Sequence, residues 1–261
     1  MMTDAVDDGK RSMAEGAFLE RRNLRRFSEI LSGSMERAPL EPYYCRVDLE
    51  TYIPMKILIT AGPTREYLDD VRFLSNASSG RMGYAIAQAA IDAGHQVVLV
   101  SGPVALSVPA ECEVVAVEGT REMYDACVAR FAECDGVIAS AAVCDYGPRA
   151  RGTGKRVKTG QPITIELMEM PDIIAELGRQ KGNRWSVGFA LEAQDPHRRA
   201  VEKLHKKNCD AIVLNRPSAI GANNNSVELI DASDTTVAKW TGSKIDIAHR
   251  LIGWIAANLA D

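Results

Sequence analysis

Hydroxyl side chains and glycines beside a predicted helix have the composition of a phosphate site. Ser78, Ser79, Gly80 and Gly83 lie in the run SNASSGRMG, at the end of a long loop that follows the apolar run KILIT. Hydroxyl groups, unhindered backbone N–H groups and the positive end of a helix dipole can together hold a phosphate. A purely structural alternative is that the serines only cap the helix.

Two common nucleotide motifs are absent from this loop. A dinucleotide site needs G-x-G-x-x-G directly after the first strand and an acidic residue at the end of the second. Here the glycines come late in the loop, and the second apolar run is followed by SGP. A P-loop needs G-K-[ST], which the sequence lacks. The loop therefore predicts a phosphate site of another type.

Small side chains and one carboxylate follow the apolar run GVIAS. The chain continues as AAVCDY, and small residues after a strand let a ligand approach the backbone closely. Asp145 then offers a carboxylate to a hydroxyl, an amide or a metal ion. By residue type alone, Asp145 is an ordinary turn former, and only a position above a sheet edge favours a ligand role.

Four lysines are candidates for neutralising phosphate groups. Lys155 and Lys158 lie in a segment, residues 146–170, in which glycines are interleaved with basic side chains. Lys203 and Lys207 are four residues apart, so they share one side of a predicted helix. In each case the alternative is a solvated surface charge.

A parallel sheet with helices on both faces would position these residues. Short apolar, mostly β-branched runs predict strands at KILIT, QVVLV, CEVVAV, GVIAS, WSVGFA and AIVLN. Helical periodicity between them predicts helices at about 81–93, 120–134, 171–181 and 197–208. This alternation is typical of a doubly wound α/β fold, in which ligands bind outside the carboxyl ends of the strands.

Two further segments complete the predicted fold. SVELID and TTVAKW predict a β-hairpin, and 243–259 predicts a last amphipathic helix. The segment 146–170, which closes with the alternating run ITIELMEM, predicts a basic flap attached to the sheet. We therefore expect an α/β, Rossmann-like, doubly wound, mainly parallel sheet with a basic flap and a C-terminal β-hairpin. Residues 55–261 form the predicted nucleotide-binding domain, and residues 1–54 are an extension of unknown role.

Composition excludes several classes of protein. Of 261 residues, 46% are hydrophobic and 25% charged, with a formal net charge of -4, which is typical of a globular protein and gives no global charge for nucleic-acid binding. Six cysteines without C-x-x-C and four histidines without H-E-x-x-H indicate neither a zinc site nor disulfides. No run approaches the roughly 20 apolar residues of a membrane span. We expect a cytoplasmic protein with no membrane or nucleic-acid partner.

Several motifs in one order are similar to those of a known family. The segment from about residue 55 to the C-terminus contains, in this order, TAGPTREYLDDVRFLSNASSGRMGYAIA, AAVCDY, GKRVK, MPDII, VGFALE and VLNR. This succession resembles phosphopantothenoylcysteine synthetase (phosphopantothenate–cysteine ligase) in its stand-alone form. In many bacteria the synthetase follows a flavin-dependent decarboxylase. Because residues 1–54 are too few for such a domain, no flavin is expected.

The resemblance implies a ligase of coenzyme A biosynthesis that joins 4'-phosphopantothenate to L-cysteine. The carboxylate of 4'-phosphopantothenate attacks the α-phosphate of a nucleoside triphosphate and releases pyrophosphate, and the cysteine amine then displaces the nucleoside monophosphate. Such chemistry needs oriented donors and cations rather than an enzyme nucleophile. The resemblance also implies Mg²⁺, a homodimer, and CTP as the nucleotide, with ATP as the alternative.

The resemblance assigns roles to residues of this chain. Asn76 resembles the residue that holds the acyl phosphate, and Lys155 resembles the first lysine of a K-x-K-K motif that acts in forming the acyl nucleotide, so both are expected to be catalytic. Residues that resemble nucleotide contacts are Gly62, Ser78, Gly80, Gly83, Ala139, Ser140, Ala141, Asp145, Lys155, Pro171, Asp172, Ile173, Ile174, Phe189, Lys203, Lys207 and Asn215. Residues that resemble substrate contacts are Arg72, which would act across the dimer interface, and Asn76, Ala141, Ala142, Asp145 and Lys158.

Two departures from the family pattern keep a second hypothesis open. Val157 stands at the third position of K-x-K-K, and Met170 replaces the Asn of the family's N-P-D-I motif. A non-catalytic or divergent nucleotide-binding regulator with the same fold is therefore the alternative to a ligase. A Rossmann-type oxidoreductase is disfavoured by the missing dinucleotide motif. No residue is identified as a metal ligand.

Overall fold

A computed structural model describes residues 53–216 and 224–260, so the predicted N-terminal extension lies almost entirely outside the described residues. Within these ranges the strands are β1 Lys56–Ala61, β2 Arg65–Tyr67, β3 Phe73–Ser75, β4 Gln96–Ser101, β5 Glu113–Ala116, β6 Gly136–Ala139, β7 Tyr146–Pro148, β8 Leu167–Glu169, β9 Trp185–Leu191, β10 Ala211–Asn215, β11 Asn224–Asp231 and β12 Thr236–Ser243. The helices are α1 Arg81–Asp92, α2 Thr120–Phe131, α3 Ile173–Gln180, α4 Pro196–Lys206 and α5 Lys244–Asn258.

One large sheet organises the domain, with the strand order β12-β11-β10-β9-β6-β1-β4-β5. The strands from β10 to β5 are parallel, whereas β11 runs antiparallel to both β10 and β12. Thr60 of β1 is level with Val100 of β4 and Ala139 of β6, so the carboxyl ends of these strands lie side by side. The predicted mainly parallel α/β sheet and the C-terminal hairpin are confirmed.

Helices cover both faces of this sheet because its central strands are apolar on both sides. α1 and α5 pack on one face, against side chains such as Ile57 and Leu99. α2, α3 and α4 pack on the other face, against side chains such as Leu58 and Val98. Burial on both faces explains why runs such as KILIT are continuously apolar instead of alternating.

Two short antiparallel ribbons rise from the loops that follow β1 and β6. The first, β2–β3, lies in the long loop after KILIT and is not predicted by the sequence. The second, β7–β8, is the base of the flap. The run ITIELMEM, predicted to be extended throughout, is a strand only over Leu167–Glu169, because its partner Tyr146–Pro148 is equally short and ends in a proline without an N–H. No helix in the described ranges combines the length and apolarity needed to cross a membrane.

Candidate functional site

The strand order contains a switch point between β1 and β6. Connections from β1 proceed outward to β4 and β5, whereas those from β6 proceed the opposite way to β9 and β10. At such a point neighbouring connections diverge and leave a crevice above the carboxyl ends of the strands. A cavity of about 520 Å³ lies there, and its lining includes Thr60 at the end of β1 and Ala139 and Ser140 at the end of β6.

Helix α1 begins at the floor of this cavity. Its N-cap, Gly80, has φ 73° and supplies no side-chain cap, and the first turn contains no acidic residue. Ser78 Oγ accepts a hydrogen bond from Gly80 N at 3.3 Å, outside the helix. Gly83 packs so tightly on β1 that an added Cβ would lie 2.5 Å from Ala61 Cβ. The uncapped, positively polarised helix end therefore opens onto the cavity.

Asn76 ties the loop before α1 to the segment after β6. Its Nδ2 donates to the carbonyl oxygens of Ala142 at 3.2 Å and Val143 at 2.8 Å. Both amide hydrogens are thus engaged, and Oδ1 remains as the acceptor that a ligand would meet.

Buried hydroxyl groups fix the backbone that forms the wall after β6. Thr64 Oγ1 lies 3.0 Å from Thr120 Oγ1 and accepts from Cys144 N at 2.9 Å. Nearby, Ser140 Oγ donates to Thr60 O at 2.7 Å, and Ala141 N donates to Thr60 Oγ1 at 3.2 Å. These bonds hold the small residues of the wall in one conformation.

The opposite wall comes from α3, α4, β9 and β10. Asp172 caps α3 by accepting from Ala175 N at 3.2 Å, and its other carboxylate oxygen lies 3.3 Å from Lys207 Nζ. Lys203 Nζ lies 2.6 Å from Oε1 of Glu192, whose side chain is only 8% exposed. Apolar side chains complete this wall, namely Ile173, Ile174, Phe189 and Ile212.

The structure brings most of the predicted site residues to this one cavity. Those that line it are Asn76, Ser78, Gly80, Gly83, Ala139, Ser140, Ala141, Ala142, Asp145, Pro171, Asp172, Ile173, Ile174, Phe189, Lys203, Lys207 and Asn215. Four predicted residues do not line it: Gly62, Arg72, Lys155 and Lys158. Gly62 packs beneath Gly80, where a Cβ on Gly80 would lie 3.3 Å from Gly62 Cα.

Two aspartates of the β2–β3 loop bind the flap to that loop. Asp70 pairs with Arg151 at 3.0 Å and accepts from Gly154 N at 2.6 Å. Asp69 accepts from the backbone N–H groups of Val71, Arg72 and Arg156, and these bonds, Val71 first, lower the pKa of its carboxyl. Lys155 and Lys158 are exposed on the flap that these contacts fix.

Comparisons with known proteins place the domain in a family. A family model described as the DNA/pantothenate metabolism flavoprotein C-terminal domain matches residues 53–259. The chain belongs to this family. A solved member, the C-terminal domain of the coenzyme A biosynthesis bifunctional protein CoaBC, shares 36% identity and a TM-score of 0.66, with 77% of this chain and 94% of that chain covered.

Curated relatives of the family are longer proteins. CoaBC of Vibrio vulnificus (strain YJ016) is 45% identical over 173 residues, which cover 65% of this chain and 43% of the relative. CoaBC of Bacillus subtilis (strain 168) is 39% identical over 216 residues, which cover 80% of this chain and 53% of the relative. The chain therefore spans about half the length of the curated relatives it matches.

Several residues of this family member line the cavity without having been predicted. Arg81 directly follows the SSG run, and its place next to this run could have identified it from the sequence. Two others are Lys244, the first residue of α5, and Asn225, in β11. They line the cavity because of where the fold places these elements, and no local sequence motif marks them. Two thiols, Cys144 and Cys209, also line it.

Proposed function

We propose that the protein is a phosphopantothenate–cysteine ligase, which joins 4'-phosphopantothenate to L-cysteine through an acyl nucleotide in coenzyme A biosynthesis. The observation that carries this proposal is the cavity at the switch point, where the SNASSG loop, the small residues after β6 and the α3–α4 wall meet. Membership of the family and similarity to proteins named for coenzyme A biosynthesis support the same function.

The cavity favours positioning and charge stabilisation over covalent catalysis. Burial raises the pKa of both cavity thiols, that of Cys209 to about 11, so near neutral pH both are protonated and attack poorly. The N-terminus of α1 directs backbone N–H groups at the α-phosphate, where negative charge grows as the substrate carboxylate attacks. Asn76 Oδ1 accepts a hydrogen bond from an amide or hydroxyl of 4'-phosphopantothenate and so orients its carboxylate for attack.

The nucleotide we propose is CTP. The base and ribose lie against the α3–α4 wall, where Ile173, Ile174 and Phe189 provide apolar contact and Lys203 and Lys207 provide hydrogen-bond donors. The PDII segment and the lysine pair support CTP over ATP.

Mg²⁺ would enter the site together with the nucleotide. In 53–216 and 224–260 no group of three His, Cys, Asp or Glu side chains could hold a metal ion. Mg²⁺ is commonly bound by one or two carboxylates together with substrate phosphates. Asp145 lines the cavity as such a carboxylate, and bound Mg²⁺ would neutralise phosphate charge.

A homodimer would bring Arg72 to a cavity. Exposed large apolar side chains concentrate on the two ribbons, their loop and the flap, namely Val71, Phe73, Tyr146, Val157, Ile163, Leu167 and Met168. Exposed apolar side chains gathered on neighbouring segments are typical of an interface. We propose that a second copy covers it and that Arg72 of one subunit contacts the substrate phosphate bound in the other.

Pyrophosphate release tests the proposed function. The purified chain with Mg²⁺ should release pyrophosphate only when CTP and 4'-phosphopantothenate are both present, and should release CMP when cysteine is added. Asn76→Asp should reduce the rate by roughly 100-fold or more, because a carboxylate would face two carbonyl oxygens and lose their hydrogen bonds. Asn258→Asp, a matched change at the exposed end of α5, should retain full activity.

Two results would contradict the ligase. The first is nucleotide binding without any pyrophosphate release, which would favour the regulator. The second is an Asn76→Asp variant that turns over like the wild type.

A further inference from the structure

Arg81, Asn225 and Lys244 all line the cavity although they are far apart in the chain. Arg81 and Lys244 are the first residues of α1 and α5, which pack side by side on the same face of the sheet. Asn225 lies in β11 and pairs with Gly242, two residues before Lys244. The fold thus gathers two cations and an amide that have no role in the function proposed above.

Asn225 carries an unused hydrogen-bond donor. The residue is only 5% exposed, and its Oδ1 accepts from Ser226 N at 2.9 Å. Its Nδ2 is buried and has no hydrogen-bond partner among residues 53–216 and 224–260. Leaving such a group unsatisfied costs roughly 1–3 kcal/mol, and native structures rarely do so. A buried donor left open in a residue that lines a cavity indicates an acceptor on a ligand.

The cations that line the cavity together with Asn225 favour an anion as that ligand. Burial, and then repulsion from the neighbouring charge of Arg81, lower the pKa of Lys244. The uncapped N-terminus of α1 adds further positive potential. The nearest acidic residue of α5, Asp246, is engaged with Ser243 in a capping box. An anion between Arg81 and Lys244 would relieve their repulsion.

We propose that Arg81, Asn225 and Lys244 form the subsite for the β- and γ-phosphates of the nucleotide, and hence for the pyrophosphate that leaves. This inference rests on the proposed function for the class of ligand. The apolar α3–α4 wall on one face takes the base, and the end of α1 takes the α-phosphate. The terminal phosphates therefore extend toward the α1–α5 face, where the two cations and the open amide lie.

The subsite has a defined part in the chemical step. A carboxylate oxygen of 4'-phosphopantothenate forms a bond to the α-phosphorus, and the bond from that phosphorus to the bridging oxygen of the β-phosphate breaks. The electron pair of that bond departs with pyrophosphate. Arg81 and Lys244 stabilise the negative charge that accumulates there, and Asn225 Nδ2 donates to a terminal oxygen.

Calorimetric titration of the full chain with inorganic pyrophosphate, CTP and CMP tests the subsite. Lys244→Gln and Asn225→Leu should each lower the affinity for pyrophosphate and for CTP about tenfold, because each removes a hydrogen bond to a charged group. The affinity for CMP should change less than about twofold. Lys244→Arg should restore binding, and Lys206→Gln, an exposed lysine of α4 outside the cavity lining, should leave every affinity unchanged.

Three results would overturn the subsite. They are a wild type that binds neither pyrophosphate nor CTP, variants that bind pyrophosphate as the wild type does, and an equal loss for CMP and CTP. A raised KM for 4'-phosphopantothenate with unchanged CTP affinity would also overturn it, since the cations would then hold the other substrate's phosphate. Absence of turnover in the wild type would refute the ligase separately, because the pyrophosphate titrations need no turnover.

Discussion

Gly83→Ala measures how closely α1 must approach β1 for the cavity to form. An added Cβ would lie 2.5 Å from Ala61 Cβ and 2.7 Å from Ser140 Oγ, well inside van der Waals contact. Ala61 Cβ is fixed to the backbone of β1 and cannot rotate away, so the start of α1 must move. Overpacking of this kind costs roughly 1–3 kcal/mol, whereas alanine in a helix gains at most about 1 kcal/mol over glycine. We expect a net loss of about 1 kcal/mol in the free energy of unfolding.

Gly253→Ala is the matched control for this change. Gly253 lies in α5, and nothing is within 4 Å of the position of its added Cβ. Alanine has the higher helix propensity and meets no clash there, so the free energy of unfolding of this variant should rise by about 0.5–1 kcal/mol. Urea unfolding of both variants should separate them by about 2 kcal/mol. Nucleotide titration should show about tenfold weaker binding for Gly83→Ala alone, because the displaced helix end no longer meets the phosphate. Equal stabilisation of both variants with unchanged nucleotide affinity would refute the close contact as the reason for this glycine.

Two further predictions concern acid stability and the proposed dimer. Burial lowers the pKa of His95 to about 4, below its unfolded value, so protonation favours the unfolded chain as the pH falls from about 6.5 through about 4. Urea unfolding should show that the free energy of unfolding falls by about 2 kcal/mol between about pH 7.5 and about pH 5. His95→Gln should reduce this loss, whereas His197→Gln, at an exposed position, should not. Equal losses in both variants would contradict the assignment to His95. Arg72→Ala should impair substrate binding, and mixing it with the impaired Asn76→Asp variant should restore part of the activity in mixed dimers. No recovery after verified subunit exchange would argue for self-contained sites.

The large sheet could be predicted because its signals are local. Central runs such as KILIT and QVVLV are buried on both faces by helices that the same sequence encodes between them, so run length and composition suffice. The β2–β3 ribbon has no such signal. Its strands are three residues each and depend on contacts between side chains, such as Tyr67 against Phe73 at 5.5 Å and Arg65 over Phe73 at 4.6 Å.

Site residues that directly follow a predicted strand could be predicted from the sequence. Those that tertiary packing brings to the cavity could not. Asn76 and Asp145 belong to loops that leave the carboxyl edge, so strand positions alone bring them near the cavity. Lys155 could not be placed in this way, because its flap is held by Asp70 from the β2–β3 loop. Lys244 was missed for a similar reason, since its position depends on the pairing of β11 with β12 and on the packing of α5 against α1.

The ion pair between Lys203 and Glu192 determines what kind of ligand atom this lysine can recognise. Pulling the ammonium away would leave the largely buried carboxylate of Glu192 with the more distant Arg199, at 3.7 Å, as its one remaining ion pair within the described residues. We therefore expect Lys203 to keep its partner when a ligand binds. Its charge is then already compensated, but an ammonium has three N–H donors and can still direct one at the ligand. Lys203 therefore acts as a directional donor whose charge is balanced by Glu192, suited to a carbonyl or ring nitrogen and poorly suited to a phosphate. Selectivity at this wall depends on where the acceptor lies rather than on how much charge it carries.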